Sequence, residues 1–268
     1  PALVSASRGF EGCLAALLRA RAPVHARGHG ADRPTALHLA AGAGHVACVR
    51  LLLAADAPTA KACGFGSLER AILEHSSLVA NFPDDLGRLP LHTAIEHERH
   101  DTAAVLIREG FSLLDCIHGD GEAAIHSAAL AGGDNEAVAV RLCGLLVTCL
   151  ADINLRDTDG QAPLHIAAKA GRHDVCQALL ALAADVAAQG RRGRTALHCA
   201  AYSGRSELCV LLLQARADPH AADDRRVMPI TCASTQACTQ ALMAAMMANE
   251  RSSYATRGCP DGEPGIAD

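Results

Sequence analysis

The sequence predicts an all-α fold in which short helix pairs stack into an elongated array, and three observations lead to this fold class. A Leu-His phrase recurs along the 268-residue chain. A Leu-rich apolar stretch follows the phrase after a short turn. Half of the residues are hydrophobic, yet only 2% are aromatic and there is no Trp. Small side chains of this kind suit the thin layers between closely packed short helices.

The recurring phrase marks the first helix of each predicted unit. Five copies keep a His at the same position, and a sixth copy is degenerate; they span residues 35–41, 89–94, 123–129, 162–168, 195–201 and 228–233. From residue 89 onward, successive copies begin 34, 39, 33 and 33 residues apart. A repeated period of about 33 residues indicates a solenoid, in which each unit buries its apolar faces against its neighbours.

The second half of each unit also repeats. A Gly turn such as Gly171 follows the phrase, and an apolar helix ending in a Leu run such as Leu211–Leu213 comes next. A short polar finger with turn residues, for example Asp157–Gly160, leads to the next phrase. The pattern therefore predicts helix, turn, helix and projecting finger.

The period and the phrase resemble the ankyrin repeat over nearly all of residues 1–249. The resemblance implies an ankyrin-repeat solenoid of stacked helix-turn-helix units, with β-hairpin or loop fingers on one side and a concave surface. We expect units at roughly 1–26, 27–57, 84–117, 118–154, 155–187, 188–220 and 221–249, with a degenerate unit at 58–83. The first unit lacks its opening residue, the 39-residue spacing implies an insertion around residues 135–140, and residues 250–268 are expected to form a disordered or extended tail.

Members of the family usually bind partners through the fingertips and the exposed end of the first helix. By register, the favoured positions are Lys169, Arg191, Arg192 and Tyr202, since Arg and Tyr are over-represented at binding hot spots. Further candidates are Arg156, Asp157, Arg225, Arg226, Arg27, His29, Asp84, Asp85, His118, Asp120, Asp223, Asp224, Glu96 and His97. The alternative is that these polar residues only keep the solenoid soluble.

Asn154 is a weaker candidate, for modification. It matches the finger asparagine that asparaginyl hydroxylases modify in some ankyrin proteins, with Leu146 eight residues earlier. The alternative is that Asn154 only caps or shapes its turn.

No motif in the sequence predicts catalysis, a cofactor or a metal. The family resemblance assigns the phrase histidines to hydrogen bonds within and between units. His97 and His100 stand beside carboxylates, but the register places them on either side of a helix break, so we expect no metal site there. Asp157, Asp159 and Gly160 lack the spacing of a calcium loop. A Gly-rich phosphate loop and a nucleophile elbow are also absent from the sequence.

Charge and cysteine usage narrow the class of partner and the compartment. The net charge of −5 gives no reason to expect nucleic acid, and no apolar run is long enough to insert into a membrane. Half of the twelve cysteines fall at predicted core positions, among them Cys13 and Cys48. Reduced thiols are typical of such positions, so we expect a reducing, cytoplasmic location.

We therefore expect a non-enzymatic interaction protein that binds another protein, as a scaffold, an adaptor or a structural subunit of a larger assembly. The alternative is the ankyrin regulatory region of a longer protein, such as a channel, a kinase or a ubiquitin-ligase substrate receptor. A chain that starts within a unit favours this alternative.

Overall fold

The computed structural model describes residues 1–29, 32–56, 80–110, 121–131 and 136–256, and these residues form seven helix pairs in sequence order. We number the pairs as repeats 1 to 7. Their helices are α1 (Ala2–Ser7) and α2 (Glu11–Arg19), α3 (Ala36–Ala43) and α4 (Val46–Asp56), α5 (Pro90–Glu96) and α6 (His100–Gly110), α7 (Ala124–Leu130) and α8 (Glu136–Thr148), α9 (Pro163–Ala170) and α10 (His173–Ala181), α11 (Ala196–Ser203) and α12 (Ser206–Gln214), and a 3₁₀ turn (Pro229–Cys232) with α13 (Gln236–Thr256).

The helix pairs stack in two layers, as the all-α solenoid prediction requires. The first helices α1, α3, α5, α7, α9 and α11 each pack against the next in one layer. The second helices α2, α4, α6, α8, α10, α12 and α13 form the other layer in the same order. Between the layers lie fully buried leucines, one to three per described repeat, such as Leu164 and Leu179. The described fingers are loops, apart from a 3₁₀ turn at Arg191–Gly193 and an isolated β-bridge between Arg27 and Thr35.

Local sequence explains where the first helices begin and end. The residue before each helix is extended, and Pro90 and Pro163 occupy first helical positions, where the missing N–H has no intrahelical partner to lose. Gly171 ends α9 in the left-handed region with φ 74°. A Cβ atom there would lie 3.0 Å from the Nε of Arg205, so both the backbone and the packing favour Gly.

The cysteines mostly occupy the core. Cys48, Cys143, Cys176, Cys209 and Cys238 are buried, and burial raises the pKa of Cys143 and Cys176 to about 12. The core prediction is wrong for Cys13, which is exposed. Cys13 has the register of Cys48, but α2 has only α4 as a neighbour in its layer among the described helices.

The described helices of repeats 2 and 3 are direct neighbours, although the sequence predicts a degenerate unit at 58–83 between them. Helix α3 packs directly against α5, and α4 packs directly against α6. The Nε2 of His38 also lies 2.8 Å from the carbonyl oxygen of Arg88, as expected for adjacent repeats. Residues 57–79 lie outside the described residues, but no unit can stand between repeats 2 and 3. The 54-residue spacing from Thr35 to Leu89 is therefore one period with an insertion.

Two other boundaries differ in detail from the expected units. In repeat 4, α8 has 13 residues against nine in α10 and α12, so most of the inserted length goes into the second helix. At the other end, α13 continues to Thr256, which shortens the tail expected from residue 250. The helix has no Gly or Pro before Gly258, so nothing in the sequence stops it at residue 249.

Candidate partner-binding surface

The phrase histidines hold the fingers in place. The Nδ1 of His165 accepts a hydrogen bond from the backbone N–H of Ala162 at 3.2 Å. Its Nε2 therefore carries the proton and donates to the carbonyl oxygens of Ala188 and Arg194, at 3.0 and 3.1 Å. His38, His126 and His198 repeat this arrangement.

Burial governs the protonation of these histidines. His38, His126, His165 and His198 are each at most 1% exposed. Desolvation lowers the pKa of all four below the ordinary value, although the hydrogen bonds to backbone carbonyls oppose it. The neutral rings are thus structural ties between each first helix and the next finger.

An aspartate five residues before the phrase shapes three of the fingers. The Oδ1 of Asp223 accepts hydrogen bonds from the N–H groups of Arg225 and Val227, at 2.8 and 2.9 Å, and the Val227 bond lowers the pKa of Asp223. Asp84 does the same in its finger, and both are about 5% exposed or less. In repeat 5 the Oδ1 of Asp157 accepts from the N–H of Gln161 at 2.7 Å.

These contacts correct the prediction that Asp84 and Asp223 reach for a partner. Asp84 and Asp223 are buried and turn towards their own backbone, and Asp157 is half-buried with one oxygen committed to its turn. The residues that project from the fingers are their neighbours at the next two positions. A binding role for Asp157 stays a prediction.

The four favoured residues meet in one cavity between repeats 5 and 6. Lys169 comes from the last turn of α9, Tyr202 from α11, and Arg191 and Arg192 from the finger between these helices. The cavity has a volume of about 320 Å³, and its walls are Gln161, His165, Lys169, Arg191, Arg192, Arg194, Cys199 and Tyr202. Tyr202 is 66% exposed, so its ring is open to a binding partner.

The cavity is positively charged. Arg191 pairs with Asp159 at 3.1 Å and Arg194 with Asp223 at 3.5 Å. Lys169 and Arg192 have no ion pair within the described part of the chain, and Arg192 is held in the left-handed region at φ 62°. Burial raises the pKa of Cys199 in the cavity wall to about 11, whereas Arg194 and Lys169 oppose that rise. The positive charges of Arg194 and Lys169 therefore reach the Cys199 side chain in the cavity wall.

A second cavity continues the surface towards repeat 4. It has a volume of about 410 Å³ and includes the side chains of Glu122, Asp157 and Asp159. Gln161 and Lys169 line both cavities. We call the two together the finger groove; its charge changes from positive at repeats 5 and 6 to mainly negative at repeats 4 and 5.

The remaining candidates lie outside the positive cavity. Arg156, Arg225 and Arg226 are exposed on fingers, whereas His118 and Asp120 lie outside the described residues. Arg27 forms an ion pair with Asp85 and lies over the ring of Phe82, 5.1 Å from its centroid. Phe82 lies in the segment that the sequence assigned to the degenerate unit, so its contact with this finger was missed.

The other candidates singled out in the sequence have local structural contacts. Glu96 contacts Arg88 at 3.4 Å, and the Nδ1 of His97 donates to the carbonyl oxygen of Thr93 at 2.9 Å. His97 follows the end of α5 and His100 begins α6, as the predicted helix break requires.

Asn154 links the loops that follow two second helices. Its Oδ1 accepts a hydrogen bond from the N–H of Asp185 in the next repeat at 2.8 Å, and its own N–H donates to Asp152 at 2.9 Å. The side chain is exposed. This geometry agrees with the structural alternative, and hydroxylation of Asn154 stays a prediction.

A family model described as "Ankyrin repeats (3 copies)" matches residues 2–115 and 125–223. An 89-residue segment is 33% identical to the neurogenic locus notch homolog protein 2 of Homo sapiens and of Mus musculus. The match covers 33% of this chain but only 3% of those proteins.

Solved structures give the same fold. The ankyrin repeat domain of Bcl-3, titled a unique member of the IkappaB protein family, superposes with a TM-score of 0.71 at 24% identity. That of human ASB11 superposes with a TM-score of 0.72 at 23% identity. Each alignment covers 91% of this chain and 97% of the other. Within the described residues, no helix combines the length and apolarity needed to cross a bilayer.

Proposed function

The chain belongs to the ankyrin repeat family, and from this premise we propose that it captures another protein through the finger groove, with its main contacts at repeats 5 and 6. Ankyrin repeat domains are generally protein–protein interaction modules, and no catalytic family is indicated. The finer role, as a scaffold, an adaptor or a subunit of a larger assembly, is part of the proposal.

One observation carries the proposal: Lys169, Arg191, Arg192 and Tyr202 line a single cavity. They come from two repeats and three elements, so a partner seated there would contact several units at once. Arg and Tyr are the residue types that most often dominate binding energy at interfaces. An exposed ring beside exposed cationic side chains gives a partner both apolar area and charge.

The sequence offers an unusually selective test of where the partner sits. The chain has only two lysines, Lys61 and Lys169, and Lys169 lines the cavity. An amine-reactive cross-linker applied to a native extract, followed by mass spectrometry, should join the partner to Lys169. The variant Lys61→Arg removes the other side-chain amine and should leave that cross-link in place.

The same partner should respond to substitutions in the cavity. We expect Arg191→Glu with Tyr202→Ala to weaken its capture by about tenfold or more, because interface truncations at hot spots cost upwards of about 1–2 kcal/mol. Helical content, followed by circular dichroism, should not change. The matched control, Arg141→Glu with Val210→Ala, alters an exposed charge and an exposed apolar residue on second helices. Equal capture by wild type and the cavity variant would remove this surface from consideration.

We also propose a reducing, cytoplasmic location, because the buried cysteines are packed as thiols in the core. The second candidate role is the ankyrin region of a longer regulated protein. It is favoured by the match to notch homolog protein 2, where the similar segment is 3% of the whole. Partner capture through the finger groove is the same in both roles.

A further inference from the structure

Aspartates of this chain pair with only some of the cationic side chains that line the positive cavity. Four cationic side chains line it, and two of them, Arg191 and Arg194, are paired with aspartates. Lys169 and Arg192 face the cavity without an ion pair among the described residues. Like charges gathered in a concave surface repel each other and favour an anionic guest.

The cavity also has the size and the polar groups for more than one carboxylate. Its volume of about 320 Å³ exceeds that of a single acidic side chain, and the exposed Tyr202 and the half-buried Gln161 lie in its wall beside the cations. Lysine is a flexible point charge, whereas Arg offers a planar fork that matches a carboxylate. The two unpaired cations belong to different elements, α9 and the following finger, so they can contact neighbouring residues of an extended chain.

The charges in the rest of the finger groove determine where along it an acidic segment binds. The adjoining cavity has the carboxylates of Glu122, Asp157 and Asp159 in its wall against the single cation Lys169, and even with Asp159 paired to Arg191 it attracts an acidic chain less than the positive cavity does. An acidic segment is therefore held at repeats 5 and 6 and kept away from repeat 4.

From these observations we infer that the positive cavity binds an acidic segment of the partner protein, in which neighbouring Asp or Glu carboxylates pair with Lys169 and Arg192 while Tyr202 packs against the partner chain. The inference rests on the proposed function and names the chemistry of the partner at that surface.

Blocked synthetic nonapeptides test this inference on the full chain. One peptide carries five consecutive Glu and Asp residues between Ser-Gly ends, a second carries Gln and Asn at the same positions, and a third carries one phosphoserine among neutral residues. Each is fluorescently labelled and titrated by anisotropy at low salt. We expect the acidic peptide to bind, and the neutral and phosphoserine peptides to bind at least about fivefold more weakly.

Variants then locate the site. Lys169→Gln with Arg192→Gln should weaken the acidic peptide by about five- to thirtyfold, as expected for two part-exposed charge pairs. Arg19→Gln with Arg141→Gln removes the same charge from exposed second-helix positions and should change the affinity less than about twofold. Lys169→Arg, which keeps the charge, should retain binding. Circular dichroism of each variant verifies folding.

Three results would overturn the inference. The acidic peptide could bind no better than the neutral one, the phosphoserine peptide could bind more tightly than the acidic one, or both double variants could lose affinity equally. The first two results, with the Lys169 cross-link to the partner intact, would leave the proposed function standing and reject only the acidic segment. If the partner is not cross-linked to Lys169 in the wild-type protein, that result would count against the proposed function.

Discussion

Acidification should destabilise this array through its buried histidines, and the hydrogen bonds of His165 show why. Its Nδ1 accepts a bond from a backbone N–H, so a proton added at Nδ1 would face another donor. Its Nε2 proton is already committed to two carbonyl oxygens. The ring can accept a proton only by breaking the bond at the start of α9. The same reasoning applies to His38, His126 and His198.

The sign and the window follow from the lowered pKa values. In the unfolded chain these histidines have a pKa of about 6.5, whereas in the folded array burial lowers the pKa. Between the two values the unfolded chain binds more protons, so the free energy of unfolding falls as pH falls. The contribution is fully present above about pH 7.5, and each His loses at most about 1.4 kcal/mol by about pH 5.5. Four histidines therefore lose at most about 6 kcal/mol, a large share of a typical stability of about 5–15 kcal/mol.

Urea unfolding followed by circular dichroism at about pH 7.5, 6.5 and 5.5 measures this loss. The variant His165→Gln cannot titrate, so its stability should fall less over the same range, by up to about 1.4 kcal/mol. The control His220→Gln removes an exposed histidine and should keep the full dependence of wild type. A stability that does not fall on acidification, or an equal fall in wild type and His165→Gln, would refute the role given to these rings.

Two further predictions concern single positions in the stack. Gly171→Ala should destabilise the array by about 1–2 kcal/mol in urea unfolding, because Gly171 has φ 74° and packs against Arg205. Gly144→Ala should stabilise the array by about 0.5–1 kcal/mol, because nothing lies within 4 Å of the position of the added Cβ. The reverse order of the two stabilities would contradict the account of the Gly turns. Asn154→Ala should lower the free energy of unfolding by about 0.5–1.5 kcal/mol in the same assay, because it removes the acceptor for the N–H of Asp185. Asn154→Asp keeps an oxygen at that position and should lower it less. Equal losses in the two variants would show that this hydrogen bond does not contribute to stability.

The sequence predicted the parts of the fold that each repeat specifies locally. The period of the phrase, the His at its centre and the Gly turn after it determine the order of the helices, and the structure confirms the solenoid. The register also brought Lys169 and Tyr202 together, since residues 33 apart lie side by side in adjacent repeats, and it placed Arg192 on the finger beside them.

The misses depend on contacts that a single sequence does not contain. Asp223 has the composition of an exposed finger residue, but its carboxylate is buried and accepts hydrogen bonds from its own turn. Cys13 has a core register and lies on a helix with one layer neighbour. The sequence between Thr35 and Leu89 does not show that repeats 2 and 3 are adjacent, and only the packing of α3 on α5 shows it.

The direct packing of repeat 2 on repeat 3 has a consequence for how such an array can change over time. The two repeats are joined by 33 residues between α4 and α5, against 14 between α10 and α11. Closing a random chain of the greater length costs roughly 0.8 kcal/mol more, which is small beside the apolar contacts of two stacked helix pairs. The stability of packing between adjacent repeats thus depends on the surfaces in contact, and the length of the segment that joins the repeats has little effect on it. The junction after α4 is a position where new sequence can be acquired while the two flanking blocks remain one body.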